Sequence, residues 1–226
     1  LRKRGVRVGC RACVPLGRRS DCWTRAFALL DCVCLTSSCN EELMEDLYEM
    51  TGAELRKNRI DTLLGPGINI HRNPLNGRNF EYFSEDPLVT GKIAAAQLRG
   101  MSKYGVTGTI KHFAGNNQEH NRRKCNSIVS ERALREIYLR GFEIAVKEGG
   151  AHSIMTTYGA INGLWTAGNY DLLTRLLRQE WGYDGLVMTV WWAEMNDDGC
   201  QPSMDNVAGL VSAQYASLIA VCGTVA

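Results

Sequence analysis

The sequence predicts an α/β fold that forms part of a (β/α)8 TIM-type barrel with parallel strands. Short apolar runs alternate with segments of helical periodicity in four successive steps, which is the pattern of a parallel sheet with helical crossovers. The long polar loops all follow strands, as they do on the functional face of a barrel. A doubly wound dinucleotide-binding sheet is disfavoured, because Gly65-Pro66-Gly67-Ile68-Asn69-Ile70 lacks the third glycine of that fingerprint and does not open a helix.

The first helix and strand are predicted from a cap and from periodicity. Ser38 and Glu41 stand at capping-box spacing. Leucine and methionine residues then recur at helical intervals, so we expect a helix over about 40–56. The β-prone run 60–64 ends at Gly65-Pro66-Gly67, a sequence typical of turns.

The next helix and strand repeat this order. Asp86-Pro87 places an N-cap before a proline at the first helical position, which predicts a helix that continues to about Tyr104 and ends before Gly105. The apolar run 106–110 leads into Lys111 and His112, so we expect a strand over 106–112.

Two further units continue the pattern. Ser130 caps a predicted helix over about 131–148. A strand over 152–157, a helix over about 170–180 and a strand over 186–190 follow. Since four or five of the eight strands of a barrel are visible, we expect the barrel to be truncated and open.

Positive charge and cysteine are concentrated in the first part of the chain. Residues 1–39 hold eight Lys or Arg and two Asp, which give a formal charge of +6. Since the whole chain carries +2, residues 40–226 carry a net charge of −4. A basic excess confined to one segment gives little support to nucleic-acid binding. We expect an unassigned basic, Cys-rich segment over 1–39, a partial barrel over 40–215 and an unassigned tail over 216–226.

The cysteines do not predict a metal site. Cys10 and Cys13 form one C-x-x-C pair without a second pair at ligand spacing, so neither a zinc knuckle nor a disulfide framework is favoured. We expect no metal and no cofactor. The apolar run 26–35 is interrupted by Asp31, unlike a secretory signal, and 207–221 is too short and polar to span a bilayer. We therefore expect a cytoplasmic protein.

The stretch from Lys111 to Glu119 carries the first functional signal. A cation and an imidazole leave the end of a strand together and are followed by the amides of Asn116, Asn117 and Gln118. These donors and acceptors suit a polyhydroxylated ligand such as a sugar. The alternative, a basic strand end with a polar surface loop, remains open from this stretch alone.

Further motifs occur in the loops after the strands. They are Leu64-Gly65-Pro66-Gly67-Ile68-Asn69-Ile70-His71-Arg72, Gly77-Arg78-Asn79-Phe80-Glu81, Ser84-Glu85-Asp86-Pro87, Lys111-His112-Phe113, Tyr158 with Ile161-Asn162-Gly163, and Asp184-Gly185 leading to Met188 and Trp191-Trp192. Over about 40–198 the chain thereby resembles the N-terminal catalytic domain of glycoside hydrolase family 3, of the β-glucosidase type. The resemblance implies a retaining β-glucosidase, which hydrolyses O-glycosyl bonds in β-glucosides.

The resemblance also implies a set of substrate-binding residues. The positions that hydrogen-bond the hydroxyls of the sugar next to the scissile bond match Arg78, Lys111, His112 and Arg122. Those that line the same subsite match Tyr158 and Trp191. Cationic donors make charge-assisted bonds to hydroxyls, and an aromatic face packs on the apolar face of a pyranose.

The loop after Lys111 and His112 bears on the sugar. Asn116-Asn117-Gln118-Glu119 resembles the glucosidase branch of the family rather than the branch that acts on N-acetylglucosaminides. We expect a β-glucoside or oligosaccharide substrate, with a β-xyloside or mixed specificity left open.

The catalytic carboxylates are where the chain departs from the family. The family's nucleophile is an aspartate one residue before the first tryptophan, and Val190 stands at that position. Valine cannot attack an anomeric carbon. Glu194, Asp197 and Asp198 are nearby in sequence, but a polar loop explains them better than a replacement nucleophile. The family's acid/base glutamate comes from regions beyond this chain.

Two functions remain after this departure. The chain is a fragment of a retaining β-glucosidase with impaired activity, or a carbohydrate-binding pseudoenzyme that keeps the sugar-binding residues without turnover. An interaction of the basic N-terminal segment with nucleic acid ranks well below both. We expect neither a nucleic-acid nor a membrane partner, and the sequence leaves the oligomeric state open.

Overall fold

The computed structural model of the protein describes residues 8–9, 32–190, 193 and 221–222. Its strands, in chain order, are β1 (Val8–Gly9), β2 (Thr62–Leu63), β3 (Thr107–Phe113), β4 (Asn126–Ser127), β5 (Ser153–Thr156), β6 (Ala160–Ile161), β7 (Leu164–Trp165), β8 (Leu186–Met188) and β9 (Val221–Cys222). The main sheet has the order β1-β2-β3-β5-β8-β9. It is parallel from β1 to β8, and β9 joins β8 in the antiparallel sense.

Helices connect the parallel strands. The α-helices are α1 (Cys32–Thr36), α2 (Glu41–Lys57), α3 (Pro87–Ser102), α4 (Glu131–Ala133) and α5 (Arg140–Lys147). A π-helical segment, Leu134–Tyr138, joins α4 to α5, and Asp171–Glu180 is also π-helical. Short 3-10 turns cover Asn79–Glu81 and Thr166–Gly168. Apart from the 3-10 turns, the helical segments after residue 40 therefore fall where helices were predicted, whereas α1 was not predicted. The predicted helix over 131–148 is π-helical in part, and the one over 170–180 is a π-helix throughout Asp171–Glu180.

Side-chain caps fix where three of these helices begin. Asp86 accepts from the backbone N–H groups of Leu88 and Val89, and Ser130 accepts from that of Ala133, as predicted. The capping box of Ser38 is wrong. Asn40 is the N-cap of α2, because its side chain accepts from the backbone N–H of Leu43, whereas the Ser38 hydroxyl donates to the Leu35 carbonyl at 2.8 Å.

The buried centre of the sheet is a row of aliphatic side chains in register. Ile110 pairs with Ile154 and Ile154 with Val187, and all three are buried. At the end of β3, the Phe113 ring packs edge-on against Phe142 of α5, with 5.1 Å between ring centroids. This row holds β3, β5 and β8 side by side, so the loops that follow these strands leave the same edge of the sheet.

The described strands form the six-stranded main sheet and a separate three-stranded sheet of order β4-β6-β7, and the main sheet is open rather than closed into a barrel. Of the predicted unassigned segments, 1–39 and 216–226, most residues lie outside the described part of the chain. Cys32 and Leu35 of α1 belong to the buried core. Within the described ranges, none of the helices combines the length and the apolar character that a bilayer crossing requires.

Candidate functional site

The polar loops gather at the carboxyl edge of the parallel sheet. Lys111 and His112 lie in the last part of β3. Tyr158 follows β5, and Val190 follows β8. The structure thus brings predicted site residues from successive strands to one edge, which is where parallel α/β folds bind their ligands.

A bulge places Lys111 and His112 at the end of β3. In the pairing with β5, Lys111 is opposite Met155 and Phe113 is opposite Thr156, so two residues of β3 face one step of β5. Bulges re-aim side chains next to functional sites. On the other side of β3, the Lys111 backbone N–H donates to the Pro66 carbonyl at 3.1 Å, and the Lys111 carbonyl accepts from the Ile68 N–H at 2.7 Å.

Glu81 joins two of the predicted sugar-binding cations. The Arg78 guanidinium donates to one Glu81 carboxylate oxygen, and the Lys111 ammonium lies 3.3 Å from the other. Burial raises the pKa of Glu81, but the hydrogen bonds and charges of Arg78 and Lys111 outweigh burial and lower it overall. The carboxylate therefore stays ionised between its two partners.

The imidazole of His112 lies behind this ion pair and is buried. The Arg78 guanidinium is 3.0 Å from its Nε2 atom, and guanidinium can only donate, so Nε2 accepts. The proton of the neutral ring is then on Nδ1, which donates to the Tyr82 hydroxyl at 3.3 Å. A sugar hydroxyl that donated to Nε2 would compete with Arg78.

Glu119 extends the network to the loop after β3. Its carboxylate lies 2.8 Å from the Arg122 guanidinium and 3.8 Å from that of Arg78. The Asn116 amide donates to Glu119 and to the Tyr82 hydroxyl, each at 2.9 Å. The Arg122 guanidinium also lies 4.9 Å from the centre of the Tyr158 ring, within the range of a cation–π contact.

Five of the predicted binding residues are thus connected. They are Arg78, Lys111, His112, Arg122 and Tyr158. The network offers cationic donors and carboxylate acceptors side by side, and a sugar hydroxyl can both accept and donate. The arrangement suits a polyhydroxylated ligand better than a simple anion, because Glu81 and Glu119 already neutralise most of the positive charge of Arg78, Lys111 and Arg122.

The remaining predicted site residues are described only in part. Val190 is half-buried, and its carbonyl accepts from the Ala193 N–H at 3.1 Å. Trp191, the cysteines of the C-x-x-C pair and the acidic residues after position 193 lie outside the described residues. Among the residues that are described, no group of three or more His, Cys, Asp or Glu could hold a metal ion.

Sequence reasoning missed the two carboxylates that organise the cluster. Glu81 is three residues after Arg78, and Arg122 is three residues after Glu119. This i,i+3 spacing of opposite charges was the available signal, but it also occurs on any solvated loop. The contact between Glu81 and Lys111 joins positions 30 residues apart, and no local pattern predicts it.

Comparison with known proteins gives the same assignment as the sequence motifs. The family described as "Glycosyl hydrolase family 3 N terminal domain" matches residues 29–211. A β-glucosidase of Ruminococcus albus is 56% identical over 214 residues, which are 95% of this chain and 23% of that protein. The chain therefore spans about a quarter of the length of this relative.

Two solved structures confirm the fold class. A β-glucosidase from Paenibacillus barengoltzii is 61% identical with a TM-score of 0.76, over 82% of this chain and 20% of that one. β-Glucosidase 3B from Thermotoga neapolitana, solved in complex with glucose, is 51% identical with a TM-score of 0.72, over 73% of this chain and 23% of that one. The α/β chain is thus part of a TIM-type barrel, and it belongs to glycoside hydrolase family 3, within the family's N-terminal domain.

Proposed function

We propose that the chain supplies the glucose-binding side of a β-glucosidase site and that, with Val190 at the nucleophile position, it binds the sugar without hydrolysing the glycosidic bond. The observation that carries this proposal is the ionic cluster at the carboxyl edge of the sheet. In it, Arg78, Lys111 and Arg122 share the carboxylates of Glu81 and Glu119. The β-glucosidase relatives, and the glucose complex of one of them, support glucose as the sugar.

The proposed ligand is the terminal glucosyl unit of a β-glucoside or oligosaccharide. Arg78, Lys111 and Arg122 would donate to its hydroxyls, and Glu81 and Glu119 would accept from them. Tyr158 and Trp191 would line the subsite with aromatic surface. His112, whose Nε2 already accepts from Arg78, would contact a hydroxyl by exchanging that bond.

The missing nucleophile supports the non-catalytic part of the proposal. A retaining glycosidase forms a covalent intermediate through a carboxylate held close to the anomeric carbon. A hydrocarbon side chain at position 190 removes that route rather than slowing it. The alternative is an impaired enzyme in which another carboxylate, such as Glu194 or Asp197, takes over the attack.

Two assays on the same preparation test the proposal. We expect calorimetric titration to detect glucose binding, and we expect the chain to release no nitrophenol from 4-nitrophenyl β-D-glucoside, a substrate that needs little acid assistance. We expect Val190→Asp alone not to turn over, because hydrolysis of a glycosyl-enzyme needs a general base to activate water, and the positions matched to the family include no acid/base glutamate. Val190→Asp in a full-length relative that carries valine there should restore turnover.

Each outcome has a distinct meaning. Hydrolysis by the unmodified chain that is lost in Glu194→Ala or Asp197→Ala would establish the impaired-enzyme alternative. The absence of any heat with glucose would disprove the sugar-binding function itself. A parallel titration with xylose tests the specificity, because xylose lacks the hydroxymethyl group of glucose.

A further inference from the structure

We propose that Asn69 is a positioning residue that fixes Lys111 and His112 in the sugar-binding cluster by clamping the backbone of His112. The expected effect on glucose affinity rests on the proposed sugar-binding function. The positioning of Lys111 and His112 by Asn69 rests on backbone geometry. Asn69 belongs to the loop after β2 and is buried, with 2% of its surface exposed. The hydrogen bonds of its side chain go to the backbone of His112, so the role that we propose for it is to hold other residues in place.

The Asn69 side chain makes two hydrogen bonds to one residue. Its Oδ1 atom accepts from the His112 N–H at 2.8 Å, and its Nδ2 atom donates to the His112 carbonyl at 2.9 Å. The two residues are 43 positions apart in the chain. The direction of the amide is determined, because the backbone N–H can only donate and the carbonyl can only accept.

These bonds continue a ladder that the backbone of the same loop begins. The Lys111 N–H and carbonyl are bound by Pro66 and Ile68, and a parallel bridge joins Lys111 to Gly67. At the next residue, His112, the side chain of Asn69 takes the place of the loop backbone. All four backbone polar groups of the Lys111–His112 pair are therefore bound by the segment 66–69.

The clamp acts where the ladder on the other side of β3 is irregular. The register with β5 shifts between Lys111 and Phe113, which leaves His112 without a partner in that pairing. A bulged residue needs its backbone groups satisfied elsewhere, since buried unpaired groups are costly. Asn69 meets this need with one planar group that carries both a donor and an acceptor.

A change at Asn69 would be transmitted to the ligand-binding side chains. The His112 ring is held between Arg78 and Tyr82, and the Lys111 ammonium reaches Glu81 at 3.3 Å. Each of these contacts depends on where the bulged backbone lies. Asn69 thus sets the geometry of two proposed sugar-binding residues through main-chain bonds.

An aspartate at this position provides a test with a pH signature. In Asn69→Asp one oxygen still accepts from the His112 N–H, but the other faces the His112 carbonyl in place of a donor. Ionised, it repels that carbonyl; protonated, it donates to it again. Because burial raises the pKa of a carboxyl group, mild acid should restore the clamp.

We expect Asn69→Asp to bind glucose about tenfold more weakly than the wild type at pH 7.5, and to recover most of this loss at pH 5. Asn69→Leu, which has neither donor nor acceptor, should lose affinity at both pH values. The wild type is titrated with glucose at each pH, so that any pH dependence of binding that does not arise from position 69 is subtracted. Asn169→Asp is the matched control. The Oδ1 atom of this buried side chain accepts from the backbone N–H of Leu172 at 3.0 Å, and an aspartate keeps that acceptor.

Ligand-free NMR separates the clamp from the proposed function. The ring ¹⁵N shifts of His112 report its Nδ1–H tautomer and its contact with Arg78, and we expect them to change in Asn69→Asp at pH 7.5 and to return at pH 5. Unchanged ring shifts, or a loss of affinity that does not recover in acid, would overturn the positioning role. If the wild type fails to bind glucose, the proposed function fails, while the ring shifts still decide the role of Asn69.

Discussion

At the residue scale, the imidazole of His112 is held neutral inside a cationic cluster. Burial and the charges of Arg78, Lys111 and Arg122 hold its pKa well below the usual value. Burial also raises the pKa of the Tyr82 phenol, so the partner of Nδ1 keeps its proton.

The sequence predicted the cations and the imidazole in this cluster, because strand ends and motifs are local. It could not predict Glu81, Glu119 or Asn69 as their partners, because those contacts depend on how distant loops meet.

The neutral state of His112 predicts a pH dependence of stability. Below about pH 6.5 the unfolded chain takes up a proton that the folded imidazole does not, so the free energy of unfolding falls by about 1.4 kcal/mol per pH unit until the folded pKa is reached. This stability is fully present above pH 6.5 and is lost in acid. We expect the stability advantage of the wild type over His112→Gln to shrink between pH 7.5 and pH 5 in urea unfolding.

The exposed His120 provides the control for this measurement. His120→Gln removes an imidazole from the neighbouring loop without entering the cluster. Its unfolding curves show how the loss of an exposed imidazole outside the cluster affects stability at each pH. Parallel pH profiles for the wild type and His112→Gln would show that the imidazole is not held neutral.

At the element scale, the packing of α2 against α3 requires a glycine. A Cβ atom on Gly100 would lie 2.8 Å from the backbone nitrogen of Glu49 and 3.0 Å from the carbonyl carbon of Tyr48, so the two helices are in backbone contact there.

Caps and periodicity predicted both helices, and the Asp86 cap is confirmed. They did not predict the π-helical segments, because the apolar stripe of 171–180 resembles that of an α-helix. They also did not predict how short β2 is. After β2, the backbone of the chain contacts β3 through hydrogen bonds of Pro66 and Ile68 to the backbone of Lys111.

Gly100→Ala tests this helix contact. We expect a loss of about 1–3 kcal/mol in the free energy of unfolding, as for an overpacked core, because the added methyl group meets backbone rather than a movable side chain. Gly77→Ala is the matched control, since a Cβ atom there would meet nothing within 4 Å. Equal urea midpoints for the two variants would show that α2 and α3 are not in close contact at Gly100.

At the scale of the whole molecule, the parallel sheet brings the proposed sugar-binding cluster and Val190 to the same edge. Val190 follows β8, two strands away from β3 in the sheet order. The family's fold was predictable from the sequence because the alternation of strands and helices covers residues 41–188. The proposed sugar-binding cluster and a hydrocarbon at the position predicted for the nucleophile together lead to the central claim, which we propose as sugar binding through Arg78 and Lys111 without turnover.

Calorimetric titration with glucose of the wild type, Arg78→Ala and Lys111→Ala tests this claim most directly. Arg132→Ala is the control, because this exposed arginine pairs with Glu136 of the adjoining π-helical segment and lies outside the cluster. We expect each cluster variant to bind glucose more weakly by about 1.5–3 kcal/mol, the usual value for a hydrogen bond to a charged group, and Arg132→Ala to bind like the wild type. Equal glucose affinity in the wild type and both cluster variants would contradict the claim.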